Sequence, residues 1–441
     1  MSIHFIGIGG IGVSSLAKYY FEKGYKVSGS DLNSSEITDF FKTLKIKIFI
    51  GKHKKENLLK GIDLVIYSPA IKENNPELKK ARKIGIKIQS YPQAIGELTK
   101  RYYTIAVSGT HGKSTTTAML SLILVKAGLD PTVIIGTKIR EFNNSNCRVG
   151  KSKYLVVEAD EWNASFLNYW PKIIILTNIE KDHLDYYKNL SNLLNGFQKL
   201  IKHLPQDGKL IINKDDENIQ KILSNKQSSI NNKFLIISYQ LSKFGDSKKI
   251  KKILKVPGEH NIYNALAALS GARALKIPDK ISFKSLSEYK GCWRRFEEKN
   301  LKIGNKKIKI ISDYAHHPTE VRATIMAAKE KFGQSNKKIW LIFQPHQYQR
   351  TFYLFNDFVE VIRENPIDKL IITDIYDVAG REKKEIKKII SSEMIIKKIH
   401  KDWALYLPKR KIISYLKNCL KGEEIVIIMG AGDIYKIINN L

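Results

Sequence analysis

A chain of 441 residues with 43% hydrophobic residues is too long for one core and points to two or three domains. Its 75 basic against 43 acidic residues, a net charge of +32, fit anionic substrates or a plain Lys- and Ile-rich composition. Lys is spread over every segment without a basic arm or a nucleic-acid-binding signature, so no nucleic-acid partner is expected. Cys147, Cys292 and Cys419 form no metal or redox pair, the start has no basic-then-apolar leader pattern, and no apolar run approaches the ~18–20 residues of a membrane span. A cytoplasmic protein without membrane insertion is the expectation.

In chain order, residues 3–8 read as a buried strand, followed by Gly7-Ile-Gly-Gly-Ile-Gly12 and a helix over 13–23. A second strand starts at Tyr25 and ends at Asp31, and Ile62–Tyr67 is a third, followed by Ser68-Pro69-Ala70. Strand–helix alternation of this kind predicts a parallel α/β layer up to about Thr99. The spacing Gly7-x-Gly-x-x-Gly12, with Asp31 roughly 20 residues on, fits a turn that binds a pyrophosphate through backbone N–H groups. NAD and a UDP-sugar both carry that group. Asp31 either contacts a ribose hydroxyl or ends the strand as a solvated acid.

The run Thr104-Ile-Ala-Val-Ser108 leads into Gly109-Thr-His-Gly-Lys-Ser-Thr115, and a helical pattern follows over 118–126. A strand, a Gly-containing loop and a helix N-terminus together present N–H groups and a dipole to an anion. Lys113 is placed to reach the β/γ-phosphates of a triphosphate, and the Ser114 hydroxyl to bind Mg²⁺. Val107 stands where the common pattern has its first Gly, so the match is incomplete. Two phosphate loops in one chain suggest a ligase or kinase.

Tyr154–Asp160 reads as a strand ending in acids, with Glu158 at the end where open α/β sheets hold ligands and Asp160 and Glu161 beside it. Ile173–Asn178 is another strand, followed by Glu180-Lys-Asp-His183; His183 is either a structural histidine or a minority nitrogen ligand for an otherwise oxygen-lined Mg²⁺ site. Residues 208–255 are Lys-, Asn- and Ser-rich and are expected to form a surface hairpin or loop zone. Asn261 and Asn264, three apart on one helix face, either read an adenine edge or cap the helix. A third α/β unit begins near Gly291-Cys-Trp-Arg-Arg-Phe296. It has strands at 308–311, 339–343, 370–373 and 425–429, a helix after Pro318, and the candidate residues Asp313, His316, His317, His346 and Arg350. Arg350 has the geometry for bidentate capture of a carboxylate.

Taken together, Gly-Thr-His-Gly-Lys-Ser-Thr115, Val-Glu-Ala-Asp-Glu161, Thr-Asn-Ile-Glu-Lys-Asp-His183, Gly-Glu-His-Asn-Ile-Tyr-Asn264, Trp-Arg-Arg-Phe296, Asp-Tyr-Ala-His-His-Pro-Thr-Glu320 and Phe-Gln-Pro-His346 resemble the Mur ligases of peptidoglycan synthesis over nearly the whole chain. The opening Gly-Ile-Gly-Gly-Ile-Gly-Val-Ser stretch is most similar to the branch that joins L-alanine to UDP-N-acetylmuramate. The resemblance implies an α/β fold of three domains. These are a Rossmann-like UDP-binding domain at 1–97, a central P-loop ATPase-like domain at 98–292 and a Rossmann-like C-terminal domain at 293–441. It further implies an ATP- and Mg²⁺-dependent ligation through an acyl phosphate, carried out by a monomer or homodimer.

Carried over motif by motif, Gly109, Thr110, His111, Gly112, Lys113, Ser114 and Thr115 would hold ATP phosphates. Ser114 with Glu158 would bind one Mg²⁺, and Glu158 with His183 a second. Asn261 and Asn264 would face adenine, Asp313 the ribose, and Arg295 the nucleotide at a domain junction. Gly9, Gly10, Gly12, Asp31 and Ser68 would serve the UDP end, and His316, His346 and Arg350 the incoming amino acid. The chain departs from the family in two places. Gln347 stands where Arg often follows the Pro-His pair, which leaves Arg350 as the main carboxylate candidate. The zone at 239–254 is also short, as if a strand or two were trimmed. The alternatives are a sibling ligase that adds a preformed peptide, a nicotinamide-dependent dehydrogenase, which needs no Lys113–Ser114 site, and a non-catalytic nucleic-acid binder.

Overall fold

The computed structural model describes residues 1–224, 234–335, 337–378, 382 and 384–441. They form two compact units. The first comprises Met1–Glu180, Ser191–Ile250 and Tyr263–Ser287, and the second Lys181–Leu190, Lys251–Ile262 and Glu288–Leu441. Among the described residues, no helix is long and apolar enough to cross a membrane.

The first unit holds two sheets. Strands β1 (Ser2–Ile6), β2 (Lys26–Asp31), β3 (Lys47–Ile50), β4 (Leu64–Tyr67) and β5 (Lys87–Ser90) lie in the order β3-β2-β1-β4-β5, and all their pairings are parallel. The order reverses beside β1, which places the Gly7–Gly12 turn and Ser68 at the switch point where doubly wound sheets take their ligands. The helix Ile11–Glu22 leaves that turn and packs along β7 (Thr132–Ile139) and β8 (Ser145–Arg148) of the next sheet. Asn146 Nδ2 donates to Ile11 O at 2.7 Å, and Lys18 Nζ to Ser145 Oγ at 2.6 Å.

The second sheet adds β6 (Tyr103–Ser108), β9 (Tyr154–Ala159), β10 (Ile173–Leu176), β11 (Lys209–Asn213) and β12 (Leu235–Tyr239), in the order β12-β11-β10-β6-β9-β7-β8. Only the β7–β8 pair is antiparallel. Strands β6 and β10 are buried on both faces, which is why they read as continuous apolar runs.

The expected loop zone at 208–255 is instead a parallel extension of this sheet: β11, the helix Glu217–Ser224, β12 and the helix Gly245–Ile253. Leu210, Ile211, Ile219, Ile222 and Ile250 carry its packing. One apolar stripe per short helix is masked in the sequence by the Lys and Asn of the solvent faces.

The second unit is built on β13 (Glu297–Ile303), β14 (Lys306–Asp313), β15 (Lys338–Phe343), β16 (Lys369–Ile372), β17 (Ala404–Tyr406) and β18 (Glu424–Met429), in the order β13-β14-β18-β15-β16-β17. Its side chains alternate between two cores: Ile311, Leu341, Ile425 and Ile427 on one face, Ile310, Trp340, Val426 and Ile428 on the other. Asp313, Met429 and Phe343 are in register at the carboxyl ends, so the loops after β14, β18 and β15 leave from one edge.

Candidate active site

The Gly109–Gly112 loop of the first unit is held by the neighbouring segment after β10. Thr110 N–H donates to Asn178 O (2.9 Å) and His111 N–H to Asn178 Oδ1 (2.8 Å). Thr177 Oγ1 donates to His111 O (2.7 Å), and Glu180 N–H to Thr110 Oγ1 (2.9 Å). Gly109, at φ +127°, passes so close that a Cβ would sit 2.1 Å from Thr177 Oγ1. Gly112, at φ +82°, would place a Cβ 2.2 Å from Asn264 Oδ1, the atom that accepts from Thr116 Oγ1 at 3.3 Å. Only glycine satisfies both the backbone angle and the contact.

The helix Lys113–Lys126 starts at Gly112 with no side-chain cap, so its dipole end is presented by backbone alone. It begins five residues before the apolar pattern suggests, because Ser114–Thr117 are hydroxyl residues that happen to be buried.

Lys113 Nζ donates to Gly109 O (2.7 Å), Thr110 O (3.1 Å) and Glu161 Oε2 (2.8 Å). Burial opposes its charge, but Glu161, Asp160 and Glu158 together hold the ammonium above the ordinary lysine range. Burial in turn pushes the Glu161 carboxyl up, against the pull of Lys113. Glu158, opposite Val107 of β6, accepts from Gly136 N–H at 2.9 Å and is half-buried. A Cβ on Gly136 would stand 3.0 Å from Glu158 Oε2, so glycine there leaves room for the carboxylate. The first-turn hydroxyl of Ser114 and this strand-end carboxylate are oxygen donors, which fits Mg²⁺.

At the other glycine turn, Asp31 Oδ2 accepts from Gly9 N–H at 2.8 Å and its Oδ1 from Asn33 N–H at 3.2 Å. The acid therefore closes the turn itself. Gly12 faces the Tyr91 ring, whose Cζ would lie 3.1 Å from an added Cβ; Gly10 meets only Gly7 O, at 3.5 Å. Ser68 Oγ accepts from Ala70 N–H at 3.3 Å beside the turn.

In the second unit, Arg350 is buried and bidentate on Asp182, with Nε to Oδ1 at 3.1 Å and Nη2 to Oδ2 at 3.2 Å. The guanidinium pictured as awaiting a substrate carboxylate thus already holds one from the protein, and its Nη1 reaches His346 Nδ1 at 3.3 Å. Burial would raise the Asp182 carboxyl, but Arg350 and the nearby His183, His317 and His316 hold it well below the usual carboxylate range. Asp182, His183 and Arg350 line a narrow pocket with Lys181, Asp185, Gln347, Gln349 and Tyr353. Gln347 is buried at φ +72°, a left-handed geometry that side chains rarely adopt. His346 stacks on Tyr376, with ring centres 5.5 Å apart at 8°. His183, itself at φ +52°, takes its N–H to Asp182 Oδ1 at 2.7 Å.

His316 and His317 differ in use. His316 Nδ1 lies 3.0 Å from Tyr314 O, with Glu320 accepting from its N–H at 3.0 Å. His317 caps the helix Pro318–Phe332: its Nδ1 accepts from Thr319 N–H (3.3 Å), which leaves Nε2–H to donate to Lys181 O (3.0 Å). Asp313 is buried and accepts from the N–H groups of Ala315 (2.7 Å) and Phe296 (2.7 Å), so it fastens the Trp293–Phe296 turn. Arg295, the residue singled out from the sequence, is partly exposed. The buried Arg294 lies over the rings of Trp293, Tyr314 and Tyr435 and donates to Gly430 O and Gly432 O. The helix Glu259–Ala274 carries Asn261, whose Nδ2 donates to Pro257 O at 2.6 Å, and Asn264.

The profile of the Mur ligase family catalytic domain matches residues 2–103, that of the Mur ligase middle domain 107–272, and that of the glutamate ligase domain 294–432. The UDP-N-acetylmuramate–L-alanine ligase of Acetivibrio thermocellus is 41% identical, covering 99% of this chain and 94% of that protein. That of Clostridium tetani is 42% identical over 98% of the chain and 96% of its own length. Among solved structures, the UDP-N-acetylmuramate–alanine ligase of Thermotoga maritima superposes with a TM-score of 0.80 at 28% identity, covering 100% of this chain and 98% of that one. A murein peptide ligase from Psychrobacter arcticus, at 24% identity and a TM-score of 0.74, shares the fold. The chain belongs to the Mur ligase family.

Proposed function

We propose that the chain joins L-alanine to the lactyl carboxylate of UDP-N-acetylmuramate at the expense of ATP. The observation that carries this reading is end-to-end similarity, at 41% and 42% identity, to proteins named for that reaction. A carboxylate is a poor acyl donor. Transfer of the γ-phosphoryl group to a carboxylate oxygen releases ADP and gives the acyl carbon a leaving group. The alanine nitrogen then attacks that carbon, the carbon–oxygen bond to phosphate breaks, and the amide forms with loss of a proton. Magnesium, when bound, offsets charge on the transferring phosphoryl oxygens.

In the first unit, the glycine turn at 7–12 serves the UDP end, and Asp31 acts there by fixing the turn. The Gly109–Thr115 loop and Lys113 take the triphosphate, and Ser114 and Glu158 hold the metal. In the second unit, Asp313 and Asn261 serve the nucleotide, His183 is a metal ligand, and His316, His346 and the Arg350–Asp182 pair form the amino-acid side. The divisions near 97 and 292 follow from the same reading.

Phosphate release from ATP, screened with and without UDP-N-acetylmuramate over L-alanine, glycine, L-serine and a tripeptide, tests it. Release should require the sugar nucleotide and be fastest with L-alanine. Release with the tripeptide alone would assign the chain to the peptide-adding siblings, and release without the sugar nucleotide would sink the reading.

A further inference from the structure

An ammonium has three N–H donors and no more. As the chain is folded, Lys113 directs all three inward: to Gly109 O, to Thr110 O and to Glu161 Oε2. The first two acceptors belong to the phosphate loop itself and move with it. The third comes from a different segment, the turn after β9, and its residue is 1% exposed against 15% for the Lys113 side chain. That turn is shaped to aim Glu161 inward. Phe166 N–H bonds back to Asp160 O and Ala164 N–H to Glu161 O, each at 3.0 Å. Asn163 and Ala164 just beyond sit at φ +54° and +52°, a strained region that persists only where surrounding structure enforces it.

A triphosphate can bond to Lys113 only by taking over one of these donors. The two carbonyl bonds are short-range and neutral; the carboxylate is the acceptor of the same chemical kind as a phosphate oxygen. We propose that Glu161 is a positioning residue that latches Lys113: its carboxylate occupies the donor a nucleotide phosphate needs, so nucleotide entry exchanges one anion for another on a single ammonium. This rests on the reading of Lys113 as a phosphate ligand.

The test is the affinity of the intact chain for ADP and for a non-hydrolysable ATP analogue, read by equilibrium dialysis so that turnover plays no part. Glu161→Gln keeps the shape and replaces a charge-assisted bond by a neutral one about half as strong, so nucleotide should bind about fivefold tighter. Weaker or unchanged binding overturns the latch. Asp160→Asn separates the latch from simple charge removal, because Asp160 is exposed and acts on Lys113 only through space. If Asp160→Asn tightens binding as much as Glu161→Gln does, the effect is local charge and the latch is refuted. Should Glu161→Gln fail to fold, Glu161→Asp draws the carboxylate back by one methylene without removing its charge; intermediate tightening supports the exchange and unchanged affinity overturns it. Lys113→Ala distinguishes the two levels. If it binds nucleotide like the wild type, the phosphate-loop reading falls with the latch. If it loses affinity while Glu161→Gln gains none, the latch falls alone.

Discussion

Glu77 lies at the start of the helix Pro76–Lys83 with no exposed surface, and four side chains converge on it. His4 Nε2 (2.9 Å) and Ser30 Oγ (2.7 Å) meet one oxygen, and His53 Nδ1 (2.7 Å) and Asn57 Nδ2 (2.9 Å) the other. These partners tie β1, β2 and the segment before β4 to one carboxylate. Burial alone would raise its pKa; the four bonds outweigh that and bring it from 4.5 to about 2. At about 1.4 kcal/mol per pH unit of difference, the carboxylate contributes roughly 3 kcal/mol to the first sheet. Glu77→Gln keeps the volume, removes the charge and turns an NH₂ toward groups that are themselves donors, so a loss of roughly 3 kcal/mol is expected at pH 7. The folded pKa lies below the unfolded one, so the contribution is complete above pH 4.5 and disappears as pH falls toward 2. Pulse hydrogen exchange along a urea series, read on the peptide spanning β1, reports this region even if the units unfold separately. Equal midpoints for variant and wild type at pH 7, or a gap that stays constant from pH 4.5 to pH 2, would refute the reasoning.

Gly109→Ala should abolish nucleotide binding measured by dialysis, since its Cβ would meet Thr177 Oγ1 at 2.1 Å with φ at +127°. Glu158→Gln should raise the Mg²⁺ concentration needed for half-maximal phosphate release by tenfold or more, an order set by the loss of one charged oxygen ligand; an unchanged titration would remove Glu158 from the metal. Arg350→Ala leaves Asp182 buried without its guanidinium partner, so it should destabilise the second unit by about 3–5 kcal/mol in urea unfolding. It should also raise KM for L-alanine more than KM for ATP. His260 is held down to about 4 by burial, with Glu320 opposing and Arg295 reinforcing the shift. Its folded pKa lies below the unfolded 6.5, so the second unit should lose stability as pH falls from 6.5 toward 4. His260→Leu should flatten that slope.

The strands that set the site were legible because central strands of parallel sheets are apolar on both faces, as in Ile173–Leu176 and Glu424–Met429. Both glycine turns were legible too, since their positive-φ glycines follow such strands. The β11–β12 region was not, because its helices bury one narrow stripe each and most of the remaining positions are polar or charged. Residue type alone does not show what an acid bonds within the chain: Asp31 accepts from Gly9 N–H and Asp313 from Ala315 N–H. Asp182 stood inside a quoted motif with no role, although its partner Arg350 lies 168 positions away in sequence. Pairings across such separations leave no local pattern to read.

The bonds from Thr177 and Asn178 into the Gly109–Gly112 turn fix that turn before any phosphate arrives. Little conformational freedom remains to be surrendered when the anion docks, so more of the interaction energy survives as affinity. On the reading proposed above for the Gly109–Thr115 loop, the cost is that control over nucleotide capture moves outward, to two side chains on an adjoining strand end that need never touch the nucleotide. Substitutions there would weaken capture as surely as changes in the cradle itself.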